Sequence, residues 1–235
     1  MSSKTVKFEM DQIMASIEQI KEDILDAALP HVMFDGWTNE VLKLATNDTD
    51  IDPSVAKQAF PRGALDLALF YHSKGDCAMM EALDKADLSG LRYSEKVAFA
   101  VKTRLQLVDK EAVRRGVTLF ALPQYAGEGV TAIWSTVDAI WKALGDTSDD
   151  VNYYTKRATL SGVYSSTVLF WIGDSSDGDM ATWEFLDRRI DNVMQFEKVK
   201  AKVKDTPLGK LVEASTSWIK APSDDHKSNF PGYSG

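Results

Sequence analysis

The sequence predicts an all-α fold, and three features support that class. Apolar residues recur at three- and four-residue steps through most of the 235 residues, as in Ile13, Ile17, Ile20 and Ile24. The alternation of apolar and polar residues that is typical of strands is hard to find. Turn-forming residues divide the chain into segments joined by short connections, so we expect about ten helices and no internal repeat.

Proline and glycine residues indicate where these helices begin and end. His31 follows Pro30, where a chain corner is expected. Asp52 followed by Pro53 fits a helix start, with an N-cap carboxylate before proline at the first helical position. Gly145 stands where a C-cap glycine belongs, and the turn GDSSDG closes the next helix.

The composition limits the function classes. A net charge of -8 argues against general affinity for nucleic acid, because phosphate binding needs concentrated Lys and Arg. The single cysteine, Cys77, excludes an intramolecular disulfide framework and suits a reducing cytosol. We expect no secretory or transit peptide and no stretch long enough to span a bilayer, so any membrane contact is expected to be peripheral.

The segment 20–72 resembles the start of TetR-type transcription regulators. A long helix, an aromatic-Gly-aromatic corner and two short helices follow one another before a Phe-Pro pair. From Glu18 to Asp66, however, four basic residues face ten acidic ones, and the expected recognition helix offers only Lys57 and Gln58 to a base edge. We interpret this as a degenerate helix-turn-helix that has lost DNA binding. A ligand-responsive TetR-type regulator is the alternative.

No recognised catalytic motif is present in the sequence. The three histidines lack the Glu-x-x-His spacing of a helical di-iron site, and no ligand pair has zinc spacing. The GEG at residues 127–129 is not followed by Gly-Lys-Ser/Thr, and no Gly-x-Ser-x-Gly elbow exists. We therefore expect an accessory or binding protein rather than an enzyme, without a metal or cofactor.

The helix that begins after Asp150 permits three interpretations. It is apolar nearly all round, which favours a central core helix. It also carries many small hydroxyl residues where a packed core would have Leu or Ile, and space beside them would suit an apolar ligand with a few polar handles. Alternatively, the Tyr-Tyr and Lys-Arg pairs at its start form an exposed patch that anchors a partner.

A longer stretch carries a family resemblance. The chain reads VDAIWKALGDTSDDVNYYTKRATLSGVYSSTVLFWIGDSS, followed by TWEFLDRRI. It is similar to the ubiquinone-biosynthesis accessory family, the ninth Coq protein, in its bacterial form. The resemblance implies a TetR-like all-helical fold without catalytic activity, a deep pocket for isoprenoid quinone-like lipids, and assistance to a hydroxylase of the ubiquinone ring.

The resemblance and the helical pattern together yield two sets of site residues. The partner patch implied by the resemblance comprises Asp150, Tyr153, Tyr154, Lys156 and Arg157. The residues expected to line the lipid pocket are Trp134, Val137, Leu160, Val163, Tyr164, Thr167, Trp183 and Leu186.

A third site is predicted near the C-terminus. From Glu197 to Lys220 six lysines face three acids, so this is a basic stretch on an acidic protein. A basic amphipathic helix can lie in an anionic membrane surface, although a helix packed on its own domain or in a homodimer fits the pattern too. The family comparison favours the membrane. Its apolar face would present Leu208, Leu211, Val212, Trp218 and Ile219.

These features predict a cytoplasmic protein, peripheral on the inner membrane, that binds a polyprenylated quinone precursor and presents it to a ring hydroxylase. The expected partners are an isoprenoid quinone precursor or phospholipid, the membrane surface, the hydroxylase and a second copy of the chain, with no nucleic acid. The predicted division of the chain is a flexible start (1–8), a degenerate helix-turn-helix region (9–72), a lipid-binding bundle in one domain with it (73–204), a membrane helix (205–220) and a flexible tail (221–235).

Overall fold

The computed structural model describes the backbone of residues 3–204 and the side chains of residues 16–193. Within this part of the chain every regular element is helical, so the predicted all-α class is confirmed. The nine α-helices are α1 (Ser3–Asp35), α2 (Asn39–Asp48), α3 (Pro53–Ala59), α4 (Ala64–Lys85), α5 (Tyr93–Gln106), α6 (Lys110–Phe120), α7 (Ala126–Ala143), α8 (Val151–Trp171) and α9 (Met180–Lys204).

The helix ends follow the local chemistry of the sequence. Asp52 is the N-cap of α3, where its carboxylate accepts from the Ser54 amide at 2.7 Å, and Pro53 is the first helical residue. Gly145 adopts a φ of +75° just after α7, a conformation that favours glycine. These two predictions are confirmed.

The corner predicted at Pro30 is wrong. α1 continues through Pro30 to Asp35 and ends before Gly36, which has a φ of +71°. Proline removes one backbone donor, but the apolar stripe continues past it. Ala28 and Val32 are both completely buried, so their packing holds the helix together across the proline.

The described chain divides into two compact units. The first unit comprises residues up to Lys74 together with Glu111–Gly127, and the second comprises Gly75–Lys110 and residues from Glu128 onward. The first unit thus includes most of α6, which the predicted division assigned to the lipid-binding bundle.

In the first unit α1 packs against α2 and α3. Its core contains Trp37, whose indole Nε1 donates to the Ala112 carbonyl at 3.0 Å. The other fully buried side chains of this core include Ile24, Val32, Val41, Phe60 and Leu67.

In the second unit α8 packs against α9, and α9 packs against α5. A turn of 3-10 helix, Asp177–Asp179, lies directly before α9. The Asp174 carboxylate accepts from the amides of Ser176 and Thr182, which joins the end of α8 to the start of α9. None of the described helices is long and apolar enough to cross a membrane.

Candidate functional site

The residues predicted to line a pocket lie on three helices of the second unit. Trp134 and Val137 lie on α7, and Trp183 and Leu186 lie on α9. The four residues on α8 are Leu160, Val163, Tyr164 and Thr167. Seven of the eight side chains are buried, and Trp134 is half-buried. The structure therefore places the set in the interior of one unit. Whether a lipid occupies space between them stays a prediction.

Three of the six Ser and Thr hydroxyls of α8 are bonded to their own helix. The hydroxyls of Ser166 and Thr167 both donate to the Val163 carbonyl, at 3.0 and 2.7 Å. The Thr155 hydroxyl donates to the Asn152 carbonyl. Ser161 differs, because its Oγ is buried with no hydrogen-bond partner among the described residues. Ser161 is therefore a buried hydroxyl of this helix that a ligand could bind.

A buried polar cluster lies in the same unit and was not predicted. Arg104 of α5 is only 2% exposed, and its Nε donates to the Asp76 carboxylate of α4 at 2.6 Å. The Thr136 hydroxyl of α7 donates to the same oxygen at 2.8 Å. Gly75 leaves the room for the guanidinium, because a Cβ there would lie 2.6 Å from it. The cluster joins three helices around one internal ion pair.

Tyr164, one of the predicted lining residues, lies close to this cluster. Burial raises the pKa of the Tyr164 phenol; the positive charge of Arg104 opposes that rise and the negative charge of Asp76 adds to it. The phenol therefore stays protonated at neutral pH. It can serve as a neutral hydrogen-bonding group inside the unit.

The predicted partner patch is partly internal. Asp150 is exposed and is the N-cap of α8, where it accepts from the Asn152 amide at 2.8 Å. Tyr154 and Lys156 are half-buried, whereas Tyr153 and Arg157 are buried. The surface of the patch is therefore formed by Asp150, Tyr154 and Lys156, and the other two side chains lie beneath it.

Arg157 is held by carboxylates on the segment before α8. Its Nε donates to Asp138 at 2.6 Å, and its Nη1 donates to Asp146 at 3.2 Å and to the Tyr153 carbonyl at 3.2 Å. The guanidinium also lies 3.5 Å from the centre of the Tyr153 ring. The Tyr153 hydroxyl contacts Asp138 at 3.3 Å. Arg157 thus fixes Tyr153 and joins α8 to α7.

Two lysines complete this network at the surface. Lys142 pairs with Asp138 at 2.7 Å and Lys156 pairs with Asp146 at 2.7 Å. Burial alone would raise the pKa of the Asp138 and Asp146 carboxyls. Hydrogen bonds from the lysines and from Arg157 outweigh it, so both pKa values lie below their ordinary value. Both carboxylates are charged at neutral pH.

Aromatic side chains adjoin the patch and were not predicted as part of it. Tyr93 stacks on Trp141 with ring centres 5.7 Å apart, and the Lys156 ammonium lies 5.6 Å from the Trp141 ring. Tyr93 is 43% exposed. The sequence does not reveal the position of Tyr93 beside Trp141, because that contact depends on the packing of α5 near the end of α7.

Residues 208, 211, 212, 218 and 219 of the predicted membrane helix, and the predicted tail, lie outside the described residues. The membrane site therefore stays a prediction.

Comparison with known proteins assigns the site region to one family. A model of the COQ9 family matches residues 126–197, which hold α7, α8 and the first part of α9. The mitochondrial ubiquinone biosynthesis protein COQ9 of Drosophila melanogaster is 32% identical over 195 residues, covering 80% of this chain and 60% of that protein. Mitochondrial COQ9-B of Xenopus laevis is 32% identical over 200 residues, covering 81% of this chain and 68% of that protein. The chain thus spans less than two thirds of the Drosophila protein's length.

A solved structure shows the fold. The crystal structure of the TetR transcriptional regulator from Nitrosomonas europaea matches with a TM-score of 0.60, covering 74% of this chain and 97% of that chain. The sequence identity is 18%, so the likeness concerns the fold alone. The predicted TetR-like fold is confirmed.

Proposed function

The chain belongs to the COQ9 family, and from that premise we propose that it is a non-catalytic accessory protein of ubiquinone biosynthesis. It binds a polyprenylated quinone precursor inside its second unit and presents the ring to a hydroxylase at a membrane surface. The relatives named above are ubiquinone biosynthesis proteins, which supports the pathway.

One observation carries the lipid-binding part of the proposal. All eight predicted lining residues fall inside the span that matches the family model, and seven of them are buried on three helices of one unit. An isoprenoid tail gains roughly 25 cal/mol for each Å² of surface removed from water, so a carrier needs an apolar interior more than catalytic groups. The buried Ser161 hydroxyl supplies a polar atom for the oxygen-bearing ring.

The non-catalytic role is supported by how the buried charges are used. Arg104 is paired with Asp76, and Arg157 is paired with Asp138 and Asp146. Groups bound to each other in this way hold helices together and are poorly placed to bind or transfer protons with a substrate.

The partner-binding part rests on the exposed patch formed by Asp150, Tyr154 and Lys156. Arg157 and Tyr153 lie beneath it and hold it in place. A rigid aromatic side chain beside a charged one suits a protein interface, because little side-chain entropy is lost on binding. We propose that this patch contacts the hydroxylase, with the chain cytoplasmic and held at the inner membrane by the predicted amphipathic helix 205–220.

The lipid content of the natively purified protein tests the proposal. Val137→Phe would fill the interior, since Val137 is completely buried, and Val130→Phe is the matched control on the same helix at a position that is 67% exposed. Mass spectrometry of an organic extract should find near-stoichiometric isoprenoid lipid with the wild type and the control, and much less with Val137→Phe.

Two further results decide the proposal. The variants' thermal unfolding shows whether Val137→Phe is folded, and Val163→Phe on α8 is a second filling variant if it is not. No lipid in extracts of wild-type protein made in a ubiquinone-producing host would refute lipid carriage.

A double variant, Trp218→Ala with Leu211→Glu, tests the predicted membrane helix. Loss of lipid from this variant would place that helix on the route by which lipid enters the protein.

The TetR-like fold favours a second candidate, a ligand-responsive regulator. It would require DNA binding that weakens steeply with salt, because phosphate contacts release counterions. A gel shift at low salt separates the two functions.

A further inference from the structure

A cavity in the first unit has a charge unlike that of its surroundings. It has a volume of about 530 Å³ and lies between α2, α3 and the turn before α4. That volume falls within the roughly 300–1,000 Å³ of small-molecule sites. The lining residues are Asn39, Leu42, Lys43, Thr46, Asn47, Pro53, Ala56, Lys57, Phe60, Pro61, Arg62 and Gly63.

Three of these twelve residues are cationic and none is acidic. Between Glu18 and Asp66 the chain has ten acids and four bases, so the cavity gathers three of the four bases. The Lys57 ammonium donates to the Pro61 carbonyl at 2.7 Å, a neutral acceptor that leaves its charge uncompensated. Arg62 is ion-paired with Asp66 at 2.8 Å, so its charge is balanced and the net positive charge comes from Lys43 and Lys57. The cavity is therefore a locally positive site on an acidic segment.

The wall of the cavity is firmly built. Asn39 accepts from the Ala64 amide at 3.0 Å and so caps the start of α4. Gly63 adopts a φ of +67°, and a Cβ there would lie 2.2 Å from the Asn39 oxygen, so only glycine lets this contact form. The Phe60 and Ala56 side chains, 1% and 5% exposed, belong to the core beneath the cavity, and Leu42 and Pro53 are the apolar side chains accessible to a ligand. Cations at the rim and apolar groups below are the features that bind an amphiphilic anion.

We propose that this cavity binds a small organic anion, with a phosphate or carboxylate held by Lys43 and Lys57 and an apolar ring lying over Leu42 and Pro53. The site is separate from the second unit, so it stands independently of the proposed lipid carriage.

The size of the ligand follows from the surrounding charge. A nucleic acid duplex extends far beyond the cavity along a segment that carries ten acids and four bases, whereas a small anion needs only the lysines at the rim. The cations also line a concave space, while a recognition helix must project its side chains outward into a groove.

Amide NMR of the full chain with phenyl phosphate as the probe tests the proposal. Saturable shifts are expected in the amides of residues 39–63. Benzyl alcohol, which has the ring without the charge, should produce none there. Raised salt should weaken the phenyl phosphate response, because the contact is with exposed cations.

A charge-matched pair of variants separates the site from general electrostatic attraction. Replacing Lys43 and Lys57 together by Gln should raise the apparent Kd about ten-fold or more, since two charged hydrogen bonds are lost. Lys85→Gln, on a lysine that is 76% exposed in the second unit, should leave the Kd unchanged.

Three results would overturn the proposal. The first is the absence of saturable shifts in residues 39–63 when phenyl phosphate is added. The second is equal binding of phenyl phosphate by the double variant and the wild type. If a DNA duplex shifted these amides at low salt and phenyl phosphate did not, the cavity would belong to a nucleic-acid surface instead.

Discussion

Arg104 and Arg157 are equally buried in the second unit, each with 2% of its surface exposed, yet their charges are balanced in different ways. Arg104 pairs with the Asp76 carboxylate, which also accepts from Thr136. Arg157 lies between two carboxylates, and each of these also binds a lysine at the surface. One arginine thus belongs to an internal pair and the other to a network that reaches solvent.

This difference indicates different roles. An internal pair that loses one partner leaves a buried charge, so it constrains which packing of α4, α5 and α7 is stable. The Arg157 network instead positions Tyr153 and the residues of the exposed patch above it.

The largest effect is expected from Asp76→Asn. The substitution removes the carboxylate that balances the buried Arg104 charge, and the free energy of unfolding should fall by about 3–5 kcal/mol. Denaturant unfolding measures this loss. Asp84→Asn on the same helix is the control, because Asp84 is exposed and should change stability by less than about 0.5 kcal/mol. Equal effects of the two substitutions would contradict the internal pair.

A smaller loss is expected from Arg157→Met. Asp138 keeps Lys142 and Asp146 keeps Lys156, so neither carboxylate is left unpaired. Denaturant unfolding should show a loss of about 2 kcal/mol, the range for hydrogen bonds to charged groups. Arg188→Met, at a side chain that is 58% exposed, is the control. A loss as large as that of Asp76→Asn would show that the lysines do not sustain the network.

The pH dependence of stability sharpens the comparison further. The pKa values of Asp138 and Asp146 are lower in the folded chain than their ordinary value of 3.8. The two carboxylates therefore make their full contribution to the free energy of unfolding at pH values above 3.8. It is lost as the pH falls from about 4 through the folded pKa values, because protonation then favours the unfolded chain. Unfolding followed from pH 5 downward should show a shallower acid loss for Arg157→Met than for the wild type. Identical slopes would refute a part for Arg157 in lowering these pKa values.

The smallest effect is expected from Tyr153→Phe. It removes the 3.3 Å contact of the hydroxyl with Asp138 but keeps the ring under the Arg157 guanidinium. The loss of stability should be about 0.5 kcal/mol, at the low end for a hydrogen bond. Denaturant unfolding of this variant beside Arg157→Met provides the measurement. Similar losses would mean that the hydroxyl, rather than the guanidinium, holds the network.

The sequence predicted the helices better than the environment of their charged residues. N-cap and C-cap residues act locally, so Asp52, Pro53 and Gly145 could be read directly. Pro30 was misread because the packing on either side of it overrides a local helix breaker. Packing between helices is not visible in a single helix's pattern.

The same limit explains the two arginines. Arg157 follows Tyr-Tyr-Thr-Lys and looked like part of an exposed patch, while its carboxylate partner Asp138 lies 19 residues earlier on another helix. The burial of Arg104 could have been predicted from the sequence, because Arg104 shares a helix face with the apolar residues Val97, Ala100 and Val101. All three are buried in the structure. A charged residue on an apolar face predicts a buried partner. Which carboxylate provides it follows only from the fold.

The most direct test of the account measures cellular ubiquinone in a ubiquinone-producing host whose own COQ9 homologue is deleted and replaced by variants of this chain. The account predicts that Tyr154→Ala lowers ubiquinone while the purified variant still folds and carries lipid, because the patch and the interior serve different partners. Wild-type ubiquinone levels with both Tyr154→Ala and a folded Val137→Phe variant that carries little lipid would contradict it.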